Sequence, residues 1–294
     1  MNRLSLIKEY NPTKYTFKGK TIIFNTIDNK YILKESNKDI NKLFNYLHSR
    51  NFHNTPDIIK STNNINIYNY IDDINYSKEQ KSIDLINTII SLHKKTSYYK
   101  DVTIDKYKEI YDNILSNINY LKEIYNNYYD EFFKEIYHSP SHYLFLRNFT
   151  KINNNLDFCK KELDNYYDLV KEKTDVRVST IHNNLSLNHF IKSDKDYLIS
   201  WDKSTIDIPI LDIVSLYKKE YLNINFNNLL NKYITILNED EIKLLFILLS
   251  LPPLIKFNNN EFISCINIRN NLDYIYKTEE LIRPYYLKNQ KEEQ

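Results

Sequence analysis

The stretch STIHNNLSLNHFIKSDKDYLISWDKSTIDIPILD, from Ser179 to Asp212, gathers the side chains of this chain best suited to chemistry. It reads as a short strand, a loop led by His182, a second strand, and a turn into a helix. Phosphoryl transfer suits such a layout, because a loop between strands can set a proton acceptor beside groups that neutralise the transferring charge. That chemistry wants acids. A carboxylate would orient a hydroxyl and take its proton, and oxygen ligands would hold a hard divalent cation. What the loop and the second strand offer instead is Asn184, His189 and Ser200, with Asn188, Asp202 and Asp212 close by.

Each of these residues also has a plainer reading. His182 suits a buried histidine bonded to backbone, and Asp212, near a helix start, suits a brace for the loop. Asn184 and Asn188 are ordinary loop residues in an Asn-rich chain. Trp201, the single tryptophan, reads as core. Asp202 follows Ser200 by two residues, so on a strand both would face one side. Lys34, in YILKE, is either a solvated strand lysine or a cation in a cleft. The helix after it, KDINKLFNYLHSRN, carries Asn41 and Asn45 and no mid-helix glutamate. Only Glu35 and Asp39 lie near, so Lys34 is expected to lack an acidic partner. His138 and His142 are spaced by four, but Pro140 lies between them and no glutamate completes a zinc motif. No metal site is expected there.

The elements that position these residues follow from periodicity. Residues 1–75 read as mostly strand. TIIFNTIDNKYILKE is a hairpin around Asp28-Asn29, and DIIKSTNNINIYNYIDD is a second one turning at Asn63-Asn64. Between them Ile40, Leu43, Phe44 and Leu47 mark one face of a helix. From Ser77 onward helices dominate. Ile83, Ile86, Ile90 and His93 share a face in the first of them. A long helix spans about Thr103 to Tyr137, Pro140 interrupts, and another runs to about Lys173. Two short strands, Arg177–Ile181 and Tyr197–Trp201, flank the loop. Asp212 to about Leu287 is helical, and the tail KNQKEEQ is expected to fray. The fold class is α+β: a β-rich N-lobe over 1–75 and a helical C-lobe over 76–294 that carries 179–212, with a cleft between lobes as the default ligand site.

Composition limits the partners. A net charge of +2 provides no field for nucleic acid or an anionic membrane. Leu244–Ile255 is too short, and too broken by Pro252-Pro253, to span a bilayer. The chain has 1 glycine, Gly19, which excludes a glycine-rich phosphate cradle and leaves asparagine to fill positive-φ turns. Its 27 tyrosines, with abundant Asn, Lys and Ile, match AT-rich codon usage, and the run EIYNNYYDEFFKEIYH reads as packing. Cys159 and Cys265 are isolated thiols, which fits a reducing cytoplasm. MNRLSLIKEYNP lacks the apolar stretch of a signal peptide.

On His182, on DIPILDIVSLY with Asp212, on LHKKT at 92–96 and on Lys34 in YILKE, the chain resembles the aminoglycoside phosphotransferase, choline kinase and spore-coat kinase-like family, whose fold is protein-kinase-like. The resemblance covers nearly the full length. It implies that the family's catalytic aspartate falls on Asn184, its metal-ligating asparagine on His189, its metal-site aspartate on Ser200, and its phosphate-reaching lysine on Lys34. It also implies that the motif is degenerate. Losing the base alone costs about 10²–10⁴ in rate, and imidazole is a poor ligand for Mg²⁺. The expectation is a catalytically inactive pseudokinase that binds or scaffolds an unknown small molecule or protein, with spore association implied by the family. The alternative is an active ATP-dependent phosphotransferase of a small hydroxyl or amine. It would use ATP and Mg²⁺ as cofactors, and its rewired site would rest on Asp202, with Asn188 or His189 in an unusual role.

Overall fold

The computed structural model describes residues 3–19, 21–62, 64–74 and 76–292, with side chains as far as Leu287. In chain order the elements are α1 (Arg3–Lys8), β1 (Lys14–Lys18), β2 (Thr21–Asn25), β3 (Lys30–Glu35), α2 (Ile40–Ser49), β4 (Ile58–Thr62) and β5 (Ile65–Asn69). There follow α3 (Lys78–Thr96), β6 (Tyr98–Asp101), α4 (Asp105–Phe133), α5 (Pro140–Val170) and β7 (Asp175–Ile181). The chain closes with β8 (Phe190–Lys192), β9 (Asp196–Leu198), β10 (Thr205–Asp207), α6 (Ile210–Glu220), α7 (Asn227–Ile234), α8 (Glu239–Ser250) and α9 (Glu261–Glu292). Two compact units result, one of Met1–Tyr98 with Arg177–Glu220, the other of Tyr99–Val176 with Tyr221–Gln294.

The first unit is built on an antiparallel sheet in the order β1-β2-β3-β5-β4. Alternation along its strands separates two faces. Ile22, Phe24, Leu33, Ile65 and Ile67 turn to one side, where Leu6 and Ile7 of α1 cover them. Thr21, Ile32, Lys34 and Tyr68 turn to the other, which is the face of interest here. The reading of residues 1–75 as mostly strand with one helix does not name α1. Its 6 residues are too few for a helical period to show, and burial of Leu6 and Ile7 decides the matter. The expected hairpins are present as β2–β3 and β4–β5. Asn63 of the second turn lies outside the described residues, while Asn64 has φ 66°. Asparagine does replace glycine at positive φ here, at Asn11, Asn51, Asn64 and Asn183.

α2 has the expected apolar face, with Ile40, Phe44 and Leu47 buried, and Asp39 caps it by accepting the Lys42 N–H at 3.0 Å. α3 is rotated from expectation. Its buried face is Leu85, Ile86, Ile89, Leu92, His93 and Thr96, whereas Ile83 is 38% exposed. In a chain this rich in isoleucine, a run of isoleucines marks a helix more reliably than it marks the inner side.

The strand expected over Tyr197–Trp201 is shorter. β9 ends at Leu198 and pairs with β8. Ser200 then takes a left-handed conformation with φ 67°, and Trp201–Lys203 form a single 3₁₀ turn. The cause is the indole of Trp201, which is buried and donates its Nε1–H to the Leu198 carbonyl at 2.8 Å. That bond folds the chain back on itself and ends the strand. Phe44 and Phe52 meet the indole edge-on, so Trp201 is a core residue as read from sequence.

The second unit is helical. α4 lies against α5, and α5 against α8 and α9, around Tyr125, Phe145, Leu156, Leu163 and Tyr166. Pro140 occupies the first turn of α5, after the Ser139 cap, and so starts a helix where its missing N–H costs nothing. α4 stops at Phe133, short of the expected Tyr137. The most apolar run of the chain is core: Leu244, Leu245, Phe246, Ile247 and Leu249 of α8 are buried, as is Leu251 just beyond it. No helix of the described residues is long and apolar enough to cross a membrane. The tail expected to fray is helical in its backbone through Glu292, and Glu293 and Gln294 lie outside the described residues.

Candidate functional site

Asp212 organises the loop. It sits in the first turn of α6, fully buried, and its carboxylate accepts the backbone N–H of His182 at 2.8 Å and of Asn183 at 2.7 Å. The Nε2 atom of His93, in the last turn of α3, lies 3.2 Å from the same carboxylate. Three residues later Thr96 accepts the Thr180 N–H at 3.2 Å through its hydroxyl. The LHKKT helix end and the DIPILDIVSLY turn thus converge on one strand and loop. Asn183 takes φ 55° at that point, which lets two consecutive N–H groups aim at one carboxylate.

His182 faces inward. Its Nε2 is 2.8 Å from the Ile199 carbonyl, which can only accept, so the proton resides on Nε2. Nδ1 is buried without a hydrogen-bond partner among the described residues. Burial lowers its pKa to about 4, against the opposing pull of Asp212 and of the Ile199 carbonyl. The ring is therefore neutral near pH 7 and packs against Trp201 with centroids 4.8 Å apart. It supports the loop from beneath.

The loop's other polar groups are turned to one another. His189 Nδ1 donates to the Asn184 carbonyl at 2.7 Å. Lys219, from α6, reaches the Asn184 side-chain oxygen at 3.4 Å and the Leu185 carbonyl at 3.2 Å. Burial, and then the nearby Lys203, lower the pKa of Lys219. A neutral amide beside an ammonium can accept a hydrogen bond but cannot take a proton from a hydroxyl.

A cleft opens on the face of the sheet that carries Ile32, Lys34 and Tyr68. Ile32, Ile71, Ile191, Ile199, Tyr68 and Phe44 give it apolar walls, and Lys34, Ser200 and Asp202 give it a polar end. Lys34 is ion-paired with Asp202. The expectation that Lys34 lacks an acidic partner is thereby corrected. Strand alternation explains both halves of the result: Glu35 turns to the α1 side and binds Arg3, while Lys34 turns to the cleft. Asp202 is 168 residues away in sequence, which no local reading reaches. It shares the cleft with Ser200 because of the left-handed turn and the 3₁₀ turn, and not through strand alternation. Burial, and then the charge of Asp202, raise the Tyr68 phenol far above its ordinary pKa, so it stays protonated.

Of the residues singled out from sequence, Lys34, Ser200 and Asp202 meet in one cavity. His182, Asn184 and His189 belong to the loop and do not line it. The isoleucine walls and Tyr68 were not singled out. Alternation around Lys34 marks Ile32, but nothing local marks Ile71, Ile191 or Ile199.

Mg²⁺ fits these residues poorly. It demands oxygen ligands in near-octahedral geometry, whereas the positions offer a neutral hydroxyl, an imidazole nitrogen in place of an oxygen, and one carboxylate held by an ammonium. Among the described residues no group of three or more His, Cys, Asp or Glu could hold a metal ion. His138 and His142 both approach Glu135, at 3.8 and 2.8 Å.

No protein-family model and no curated protein matches the chain. Solved structures do. An aminoglycoside phosphotransferase from Alicyclobacillus acidocaldarius subsp. acidocaldarius superposes with a TM-score of 0.72 at 9% identity, covering 100% of this chain and 97% of that one. A spectinomycin phosphotransferase in its AMP-bound complex superposes with a TM-score of 0.54 at 15% identity, covering 98% and 92%. The chain has the α+β, two-lobed, protein-kinase-like fold of these enzymes.

Proposed function

Given that fold, we propose that this chain is a pseudokinase: a protein that keeps the phosphotransferase frame, has lost phosphoryl transfer, and acts by binding or scaffolding. One observation carries the proposal. The acid of the cleft, Asp202, is engaged by the very lysine that would otherwise reach a phosphate, while Ser200 stands beside it as a neutral hydroxyl. Family correspondence adds the rest, since it puts the base at Asn184 and the second metal ligand at His189. With a carboxylate missing at two positions and an oxygen ligand at a third, the transition state loses its main electrostatic support. What persists is the brace. Asp212, His93 and His182 still hold a loop in place, which is what a binding protein needs from it.

The cleft favours a flat ligand with one polar edge. Its isoleucine walls and Tyr68 offer apolar surface, and the Lys34–Asp202 pair offers one donor and one acceptor at the rim. A nucleotide held this way depends on its base and not on a cation. A cytoplasmic setting, association with spores, and a lobe boundary near residue 75 belong to the same proposal.

The presence of Lys34 and Asp202 in one cavity favours a second reading, an ATP-dependent transferase in which Asp202 leaves Lys34 to act on a small hydroxyl or amine. Fluorescence separates the two. Trp201 is the only tryptophan and lines the cleft, so it reports occupancy directly. ATP titrated with and without Mg²⁺ or Mn²⁺ should give the same affinity in both series, or no binding in either. Tightening of tenfold or more with metal, abolished in Asp202→Ala, supports the transferase and overturns the pseudokinase.

A further inference from the structure

α2 divides two hollows. Ile40 and Phe44 face the cleft just described. Asp39, Lys42, Leu43 and Tyr46, at spacings of three and four, face a separate groove on the other side of the helix. Lys38 precedes them, and the opposite wall is the β7–β10 ladder, where Thr180 pairs with Ile206 and Thr205 stands alongside.

Three features of this groove leave polar demand unmet. Thr180 is 2% exposed, lines the groove, and has no hydrogen-bond partner for its Oγ1 among the described residues. Among the described residues Lys38 directs its ammonium only to neutral acceptors, the carbonyl and the hydroxyl of Ser204, and burial lowers its pKa. Cations withdrawn from water are ordinarily paired with an acid. The ammonium of Lys42 has no carboxylate partner among the described residues, since the one bond at this residue is from its backbone N–H to Asp39. Asp39, the groove's acid, uses Oδ1 for that cap, so two lysines stand against one aspartate at the positive end of the α2 dipole. Beside this cationic end the surface is apolar, from Leu43, Tyr46 and Ile206.

We propose that the groove binds a small organic anion, a carboxylate or a phosphate monoester on an aryl or alkyl body. The anionic group lies between Lys38 and Lys42, the body lies on Leu43, Tyr46 and Ile206, and the Thr180 hydroxyl gains the partner it lacks. Inorganic phosphate has no such body and forgoes the contact with Leu43, Tyr46 and Ile206. The proposal is independent of what occupies the cleft.

Calorimetric titration of the full chain with phenyl phosphate, benzoate and inorganic phosphate tests it. At least one aryl anion should bind, at least about fivefold tighter than inorganic phosphate, and more weakly as salt rises. The stronger of the two aryl probes identifies the anionic group. Lys38→Ala and Lys42→Ala should each weaken that binding by about tenfold, the scale of a hydrogen bond to a charged group. Thr180→Val keeps the side-chain shape and removes a hydroxyl with no partner, so it should fold as well as wild type and bind several-fold more weakly. Lys34→Ala, which alters only the cleft, should bind as wild type does. Three results overturn the proposal: no heat from either aryl anion at millimolar concentration, inorganic phosphate binding as tightly as they do, or affinity unchanged in both Lys42→Ala and Thr180→Val.

Discussion

Replacing Asp212 should disturb the loop more than any change at its chemically suggestive positions. The carboxylate is fully buried and takes two backbone N–H groups, from His182 and Asn183, with His93 at 3.2 Å. In Asp212→Ala both amides lose their buried acceptor. An orphaned buried donor costs about 1–3 kcal/mol, so two of them, with His93 also released, put the loss at about 3–5 kcal/mol. Asp212→Asn retains one acceptor oxygen and sets an N–H₂ against a donor, which places it near about 2–3 kcal/mol. Urea unfolding followed by Trp201 fluorescence measures both, with the m-value checked for constancy. Asp157→Asn, which alters an exposed partner of Lys122, serves as the control and should change little. A loss below about 0.5 kcal/mol in Asp212→Asn, which is the size of an ordinary surface substitution, would refute the brace.

Three further outcomes follow from the same geometry. His182 has its pKa lowered to about 4 against 6.5 for the free side chain, so between those values the unfolded chain binds the extra proton. Its contribution is complete above pH 6.5 and is lost as pH falls toward 4, by up to about 3 kcal/mol. Unfolding midpoints from about pH 4 to 7 should show that slope, and His182→Gln should flatten it. The Lys34–Asp202 pair is 23% and 33% exposed, so Asp202→Asn should cost less than about 1 kcal/mol of stability. A larger loss in thermal or urea unfolding would mean the pair is structural. Asn184→Asp, His189→Asn and Ser200→Asp combined should create a divalent-cation site, read as Mn²⁺ binding by electron paramagnetic resonance. A folded triple variant that binds no Mn²⁺ would show that the loop is misaligned with the family pattern.

What could be read from the sequence was whatever local pattern decides. The α2 stripe, the two hairpins, the role of Pro140 as a break between helices, and the burial of Trp201 all rest on neighbours within a few residues. Asp212 was legible as a brace because a helix start makes such a role natural. The misses are of two kinds. α1 and the inner face of α3 were hidden by tertiary burial, which selects among isoleucines that look alike in sequence. The Lys34–Asp202 pair, the isoleucine walls and the Lys38–Ser204 contact join segments far apart in the chain, and no spacing rule connects them. Ser200 combines both kinds. Its left-handed turn exists because Trp201 folds back on Leu198, and that turn delivers Asp202 to Lys34.

The central claim is that the frame survives without the chemistry, and ATP turnover tests it most directly. Wild type and Asp202→Ala, each with ATP and Mg²⁺ or Mn²⁺, would be followed by ³¹P nuclear magnetic resonance for ADP, first alone and then with pooled small alcohols, aminoglycosides and choline as acceptors. The account predicts no ADP above the protein-free control in either protein. Metal-dependent ADP formation by wild type that disappears in Asp202→Ala would contradict it.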